Sequence, residues 1–338
     1  MIIDNANFNY SHQPLHLNTE NKYFKKNAGQ HPYQVVCQSV LIRKFYLNLR
    51  FILFFQTKMY RPLFLVVAAV FMCFSCAGAE KKEIKASEII KLIKKGKPVQ
   101  IVDKIILDDL DFTADSKPFI LNAGNLQNEI NANIFFTNCL FTGKVSSNSK
   151  SKALPMHTVF RKNLVFADCD FRGEVDFEGA IVFGMVNFSK SVFREKANFN
   201  NLSVWAKDSY FSEMTAEKDF SFIYTSFSGN LYFRDASFNG KTSFQESSVK
   251  GKLSFNNSVF KEKAGFDLME ICGGAFFNYT VFEKNADFSF SRFLSTAEFV
   301  SADFKETGNF EKTFFLRTVR FVEVDKNNLM FTDTYFGN

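Results

Sequence analysis

The sequence predicts an all-β solenoid, a square coil of very short strands closed at its N-terminal end by one short helix. Three observations carry this. Phenylalanine supplies 46 of 338 residues, against one tryptophan and six prolines. From residue 222 the phenylalanines recur at alternating steps of five and six. The residue two places before each is restricted, and small in the clearest stretch. A half-buried strand repeats every two residues and an amphipathic helix close to every 3.6, so neither period generates this beat.

Ahead of the coil, residues 1–58 show no periodicity and read as an extension that forms no domain, with Met59 as the expected true start. "MYRPLFLVVAAVFMCFSCAGAE", Met59 to Glu80, has a basic residue at Arg61, an apolar run from Leu63 to Phe74, and a small-residue end. That is the layout of an export signal. About a dozen apolar residues fall short of the ~20 that span a bilayer. Ser75 before Cys76 resembles the lipobox of bacterial lipoproteins, which implies that residues 59–76 are a lipoprotein signal peptide and that Cys76 carries the lipid.

Residues 77–98 read as a charged tether and a helix. Ser87 is the expected N-cap, Ile89, Ile90, Leu92 and Ile93 form an apolar stripe, and Gly96 with Pro98 ends the helix. A basic amphipathic helix can lie on a membrane, but a repeat stack needs a terminal cap, so this one is expected to cover the open end of the coil behind it. Residues 99–338 then read as strand throughout, interrupted by "GKVSSNSKSKALPMHT" at about 143–158, expected to be a flexible loop leaving and rejoining the stack.

The beat runs through Phe166, Phe171, Phe177, Phe183, Phe188, Phe193 and Phe199 and blurs between 204 and 220. It then continues at Phe222, Phe227, Phe233, Phe238, Phe244, Val249, Phe255, Phe260, Phe266, Ile271, Phe277, Phe282, Phe288, Phe293, Phe299, Phe304, Phe310, Phe315 and Phe321. Two residues earlier stand Ala286, Ser291, Ala297, Ala302, Gly308 and Thr313, and upstream Ala264, Ser258, Ala236 and Cys169. In extended chain those two positions share a side, so each unit offers one small and one large inward group. The polar residues after them make a turn. Four such sides close a coil of 20 to 22 residues, with equivalent rings stacked in columns. Phe290, off the beat, is expected at a turn and partly exposed.

Runs such as "AEFVS-ADFKET" and "ADFSF-SRFLST" resemble the pentapeptide-repeat family. The resemblance implies a right-handed quadrilateral β-helix of roughly eleven coils over 99–338, with the six-residue step marking a bulge or wider turn on alternate sides.

Charge divides unevenly. Residues 1–58 carry about +5, whereas the chain from Cys76 onward sums to zero, which lacks the single-sign field that steers nucleic acid. The DNA-mimicking, gyrase-protecting members of the family imply a cytoplasmic, acidic rod, and this chain offers an export signal and a neutral body. His157 is the one histidine after Cys76, so neither zinc nor any other cofactor is expected. Cys139 and Cys169 fall on the small inward position, as core fillers or as a disulfide if oxidised. Cys272 has no evident partner. "SEMTAEKDF", 212–220, reads either as a surface site or as a solvated loop. No nucleophile elbow, phosphate loop or HExxH is present.

The expectation is therefore a non-enzymatic, envelope-anchored lipoprotein, membrane-bound through its lipid and acting as a rigid structural or interaction scaffold for a protein or glycan partner. A polysaccharide-active or polysaccharide-binding β-helix is the alternative. The aromatic last coil, "MFTDTYFGN", also allows a homodimer.

Overall fold

A computed structural model describes residues 81–338 except 115, 117–118, 123–124, 150–154 and 338, and leaves the side chains of 119–122 and 125 undescribed. Cys76, the signal peptide and residues 1–58 lie outside the described residues. The rest is the expected all-β quadrilateral solenoid. Its four sides begin with strands Val99–Val102 (side 1), Lys82–Lys85 (side 2), Leu110–Asp111 (side 3) and Asn125–Ile130 (side 4). Each side is a sheet with ten parallel strands, and side 4 adds Phe119–Asn122 and Asn148–Ser149 as antiparallel neighbours. The stack thus comes close to the eleven or so coils expected.

In the regular part each strand is two residues long and pairs with its equivalent one coil on, as Ala286 does with Gly308 and Ala297 with Val319. The repeat is 22 residues, the separation of Asp287 from Asn309 in the same pair of strands. The ladder residues from Phe222 to Phe315 are all buried, Val249 and Ile271 included, and Phe321, near the uncovered end, is half-buried. Rings of side 1 stack on one another, Phe277 on Phe299 at 4.9 Å and 2°. Those of side 3 do the same, Phe288 on Phe310 at 4.8 Å and 2°. The two columns meet edge to face across the middle, Phe288 against Phe277 at 5.3 Å and 90° and against Phe299 at 5.6 Å and 89°. This is the geometry that ring quadrupoles favour.

The alternating steps correspond to two kinds of corner. The five-residue steps, from side 1 to 2 and from side 3 to 4, are β-turns with positive φ at the third residue, as at Phe290 (φ 55) and Ser301 (φ 53). That is the type II signature. The Ser291 amide closes one such turn on the Phe288 carbonyl at 3.2 Å. The six-residue steps are open corners. The expected wider turn on alternate sides is therefore observed, and Phe290 sits at a turn, 48% exposed.

The small inward residues sort by side. After the open corners, on sides 1 and 3, most are apolar, such as Ala275, Ala297, Ala264 and Ala286, with Ser209 and Thr242 as exceptions. After the tight turns, on sides 2 and 4, many carry a hydroxyl. Ser258 donates to the Phe233 carbonyl at 2.6 Å, Thr280 to Phe255 at 2.8 Å and Thr313 to Phe288 at 2.7 Å. Each such carbonyl heads a turn in the preceding coil: those of Phe255 and Phe288 also accept the turn's own closing amide, while at Phe233 the Ser258 hydroxyl bridges, accepting from the Ala236 amide at 3.2 Å and donating to the carbonyl.

Four expectations are corrected. Phe183 is not an inward anchor: Val182 is fully buried in its place and Phe183 is 42% exposed, which restores the five-six alternation between Phe177 and Phe188. The beat also does not blur between 204 and 220. Val204, Phe211 and Ala216 are buried anchors, with one extra residue between Val204 and Phe211. Val186 accordingly pairs with Ser209, and Arg194 reaches Glu217, each 23 residues on. Alanine at 216 leaves a gap in its column that Phe220 fills from side 3, its ring 5.7 Å from Phe193 and 5.4 Å from Phe238. The 143–158 interruption is narrower than expected. Val145 and Met156–Phe160 belong to the stack, joined through an antiparallel pairing of Asn148–Ser149 with Met156–His157. The coil here is lengthened to 30 residues, the separation of Asn133 from Asn163, whose amide donates to the Asn133 side chain at 3.2 Å.

The fourth concerns the N-terminal cap. Lys82–Lys85, within the segment read as tether, pairs with Lys104–Leu107, and helix α1 (Ala86–Lys94) follows directly. Its N-cap position is therefore Lys85, the last residue of a strand, and no side chain caps it; Ser87 lies inside the first turn. Gly96 ends α1 as expected, with φ 63 and its amide on the Ile93 carbonyl at 2.9 Å. Ala86, Ile89 and Ile90 are buried against the first coil, which α1 covers.

Phe288→Ala removes a ring packed both in its own column and against the opposite one, and is expected to lower stability by about 3–5 kcal/mol. Phe290→Ala, by contrast, is expected to stay within about 0.5 kcal/mol. Denaturant midpoints of the two variants check this, and equal midpoints would contradict the inward assignment.

Candidate interaction surface

The ladder residues point inward, so only the outward columns and corners can meet a partner. Several columns are satisfied internally. Arg194 reaches Asp170 at 2.7 Å in the coil below and Glu217 at 3.0 Å in the coil above. Arg292 pairs with Glu270 at 2.7 Å, Lys284 with Glu306 at 2.9 Å and Arg320 with Glu298 at 3.4 Å. Such exposed pairs contribute under about 1 kcal/mol each. They do offset charge locally between neighbouring coils.

Side 3 carries an amide and carboxylate ladder. Asn198 donates to Asp176 at 3.3 Å and to Glu178 at 3.1 Å, Gln245 to Asp267 at 2.6 Å, and Asn309 to Asp287 at 3.1 Å. Burial raises the Asp267 carboxyl above its ordinary range, against the Gln245 hydrogen bond, with the charges of Asp287 and Glu246 adding to the rise.

The "SEMTAEKDF" segment is ordinary coil, not a loop. Met214, Ala216 and Phe220 point inward, Glu213 faces Lys190 at 3.6 Å, and Glu217 joins the Arg194 ladder. His157 lies in a strand, its Nδ1 3.3 Å from the Glu178 carbonyl. Its imidazole occupies the space that a Cβ at Gly179 (φ 70) would need, so glycine is required there twice over.

Cys139 and Cys169 are buried, free and adjacent in one column of side 2, and Cys272 is free and exposed. Burial pushes the Cys169 thiol well above its ordinary value, and its hydrogen bond to Cys139 pulls that thiol down. Among the described residues no group of three or more His, Cys, Asp or Glu is placed to hold a metal, and no helix is long and apolar enough to cross a membrane.

One corner departs from this pattern. On the open corner from side 4 to side 1, Arg161, Phe183 and Trp205 succeed one another in three consecutive coils. The Arg161 guanidinium lies 4.7 Å from the Phe183 ring, and Phe183 stacks on Trp205 at 6.2 Å and 14°. Trp205 is 60% exposed and sits beside the extra residue. Sequence reasoning passed over this cluster, although the lone tryptophan and the broken beat both marked it.

At the other end of the stack, nothing among the described residues covers the last coil. Met330 and Tyr335 are exposed and Leu329, Phe331 and Phe336 only partly buried.

Residues 222–268 match the family model described as pentapeptide repeats (9 copies). Nothing among curated proteins and nothing among solved structures matches the chain.

Alkylation of the native protein at neutral pH, read by peptide mass, is expected to modify Cys272 and spare Cys139 and Cys169 until denaturant is added. Modification of all three in the native state would contradict their placement.

Proposed function

We propose, from the match of residues 222–268 to the pentapeptide-repeat model and from the same coil running through the described stack, that the protein is a non-enzymatic, envelope-anchored lipoprotein whose β-helix is a rigid scaffold for a protein or glycan partner. The observation that carries the anchoring is the sequence Ser75-Cys76 at the end of an apolar run, six residues before the first strand at Lys82. That spacing leaves a short tether between a lipid on Cys76 and a stack whose first coil is already closed by α1. The scaffold part is supported by the division of labour in the coil: side-chain bulk is committed to the core, and several outward charges pair within their own columns.

The reading includes a homodimer through the last coil, supported by the exposed Met330 and Tyr335 and by the absence, among the described residues, of any element covering them. Light scattering is expected to give a dimer that Met330→Lys with Tyr335→Lys converts to monomer, and a monomeric parent protein would end that part of the reading. The polysaccharide-binding alternative is favoured by the Trp205 corner.

Metabolic labelling with a fatty acid tests the anchor. The parent chain is expected to take up label and sediment with membranes, and Cys76→Ala to lose both. Unlabelled, soluble parent protein would refute it.

A further inference from the structure

We propose that the corner around Trp205 is a binding site for an acidic polysaccharide, a chain of pyranose units bearing carboxylates. The proposal deepens the scaffold reading by naming its partner class, and it is independent of the lipid on Cys76.

Trp205 is the chain's only tryptophan, and folding leaves most of it in water. One face of the indole is covered by Phe183, which is backed in turn by Arg161. The next position in the column is Ser228, whose amide donates to the Val204 carbonyl at 2.9 Å, and a serine is too small to cover an indole. The neighbouring column is bare as well. Gly184 and Gly229 lie in the coils on either side, and a Cβ at Gly229 would collide with the carbonyls of Ala206 and Lys207. The aromatic stack therefore ends in a flat, open shelf with a low rim, at the coil whose register carries one residue more than its neighbours.

Such a shelf suits the apolar C–H face of a sugar ring, and the adjoining strand supplies what a sugar's edge requires. Asp208 accepts from Asn230 Nδ2 at 2.8 Å, a fixed carboxylate and amide beside the shelf that can accept from and donate to hydroxyls. Few, convergent polar groups next to aromatic surface are the usual make-up of a small-ligand site. Charge decides the class of sugar. Lys162, Lys207, Lys250 and Lys252 are exposed on this corner and none is in an ion pair among the described residues, whereas Arg194, Arg292 and Arg320 on other columns meet carboxylates. Lys207 and Lys252 stand two coils apart, about 10 Å, so an extended chain lying along the stack passes both. A local excess of cations on a neutral body favours a polyanion at this corner.

The test uses the intact purified protein. Because Trp205 is the sole indole, its fluorescence reports directly on the shelf. Polygalacturonate is expected to shift or quench it saturably, with affinity falling as salt rises, while neutral dextran leaves it unchanged. In gels containing polygalacturonate the protein is expected to be retarded. Trp205→Ala, and separately Lys207→Gln with Lys250→Gln, should weaken that retardation at least about tenfold. Tyr279→Ala, an exposed aromatic on a different corner, should not change it. The unfolding midpoint of Trp205→Ala is expected to match the parent's, which separates lost binding from lost fold. No response to polygalacturonate, equal retardation of Trp205→Ala, or a response to anionic lipid vesicles and not to the polysaccharide would each overturn the proposal. Fatty-acid labelling reads Cys76 alone, so failure of either experiment leaves the other's result intact.

Discussion

Edge-to-face contact between the ring columns of sides 1 and 3 is the interaction on which the rest of the coil depends. A square coil is narrow, and Phe277, Phe288, Phe299 and Phe310 interleave until each ring touches the opposite column at 5.3 to 5.6 Å. Filling the cross-section with one large group per side forces the second inward residue to be small. It also fixes the length of the regular coil, because a longer side would carry the next ring out of its column. The rule bends at Leu231 and Leu253, which precede Phe233 and Phe255, and at one place a ring and a small residue exchange: Ala216 takes the place of a ring and Phe220 the place of a small residue, and the core stays filled. Interactions run mainly between neighbouring coils, so stability accumulates along the stack and depends on each layer being complete.

The turns carry the cost of that geometry. Leu268, Tyr279 and Phe290 hold positive φ, a conformation that disfavours residues with a Cβ by about 1–2 kcal/mol each. The backbone accepts it because turns such as those at Phe255 and Phe288 are tied by their own closing amide and by a hydroxyl of the next coil, and turns such as those at Phe222 and Phe233 by a serine hydroxyl that bridges the amide and the carbonyl. A buried carbonyl left with one bond would add a further penalty. The residues at the tips, having no inward role, are free in identity, and this is why bulky and charged side chains alternate there without pattern.

Much of the fold was legible because the beat is a packing rule written directly into residue spacing. The rings, the small partners, the exposed Phe290 and the helix stop at Gly96 all follow from periods and local chemistry. What escaped was of two kinds. Phe183 misled because it is one residue from the true anchor Val182, and a count of phenylalanines favours the ring where burial favours the register. The distinction between hydroxyl-bearing and apolar small residues was visible in "ADFSFSRFLSTAEF" as alternation of Ala and Ser, but its meaning depends on a carbonyl 25 residues away, which no local pattern names. The antiparallel hairpins of the early coils were hidden for a related reason: insertions at corners lengthen a coil, as between Ile134 and Leu164, without disturbing the pairing along its sides.

The same regularity explains where recognition can arise. With a fixed repeat, whatever is outward in one coil lies directly beside its equivalent in the next, so opposite charges such as Arg292 and Glu270, and amide–acid pairs such as Gln245 and Asp267, satisfy each other inside the protein. A partner can be read only where a column is interrupted. The extra residue between Val204 and Phe211 is such an interruption: above Trp205 the column passes to a serine, the adjacent column is glycine, and the lysines around it have no acid in register to meet. The irregular coil keeps a filled core, with Val204, Ser209 and Phe211 all buried, but it leaves the Ser209 hydroxyl without a hydrogen-bond partner among the described residues and exchanges a ring between Ala216 and Phe220. A coil that bears such a cost inside while reshaping the surface around Trp205 is where a binding site on a scaffold can arise.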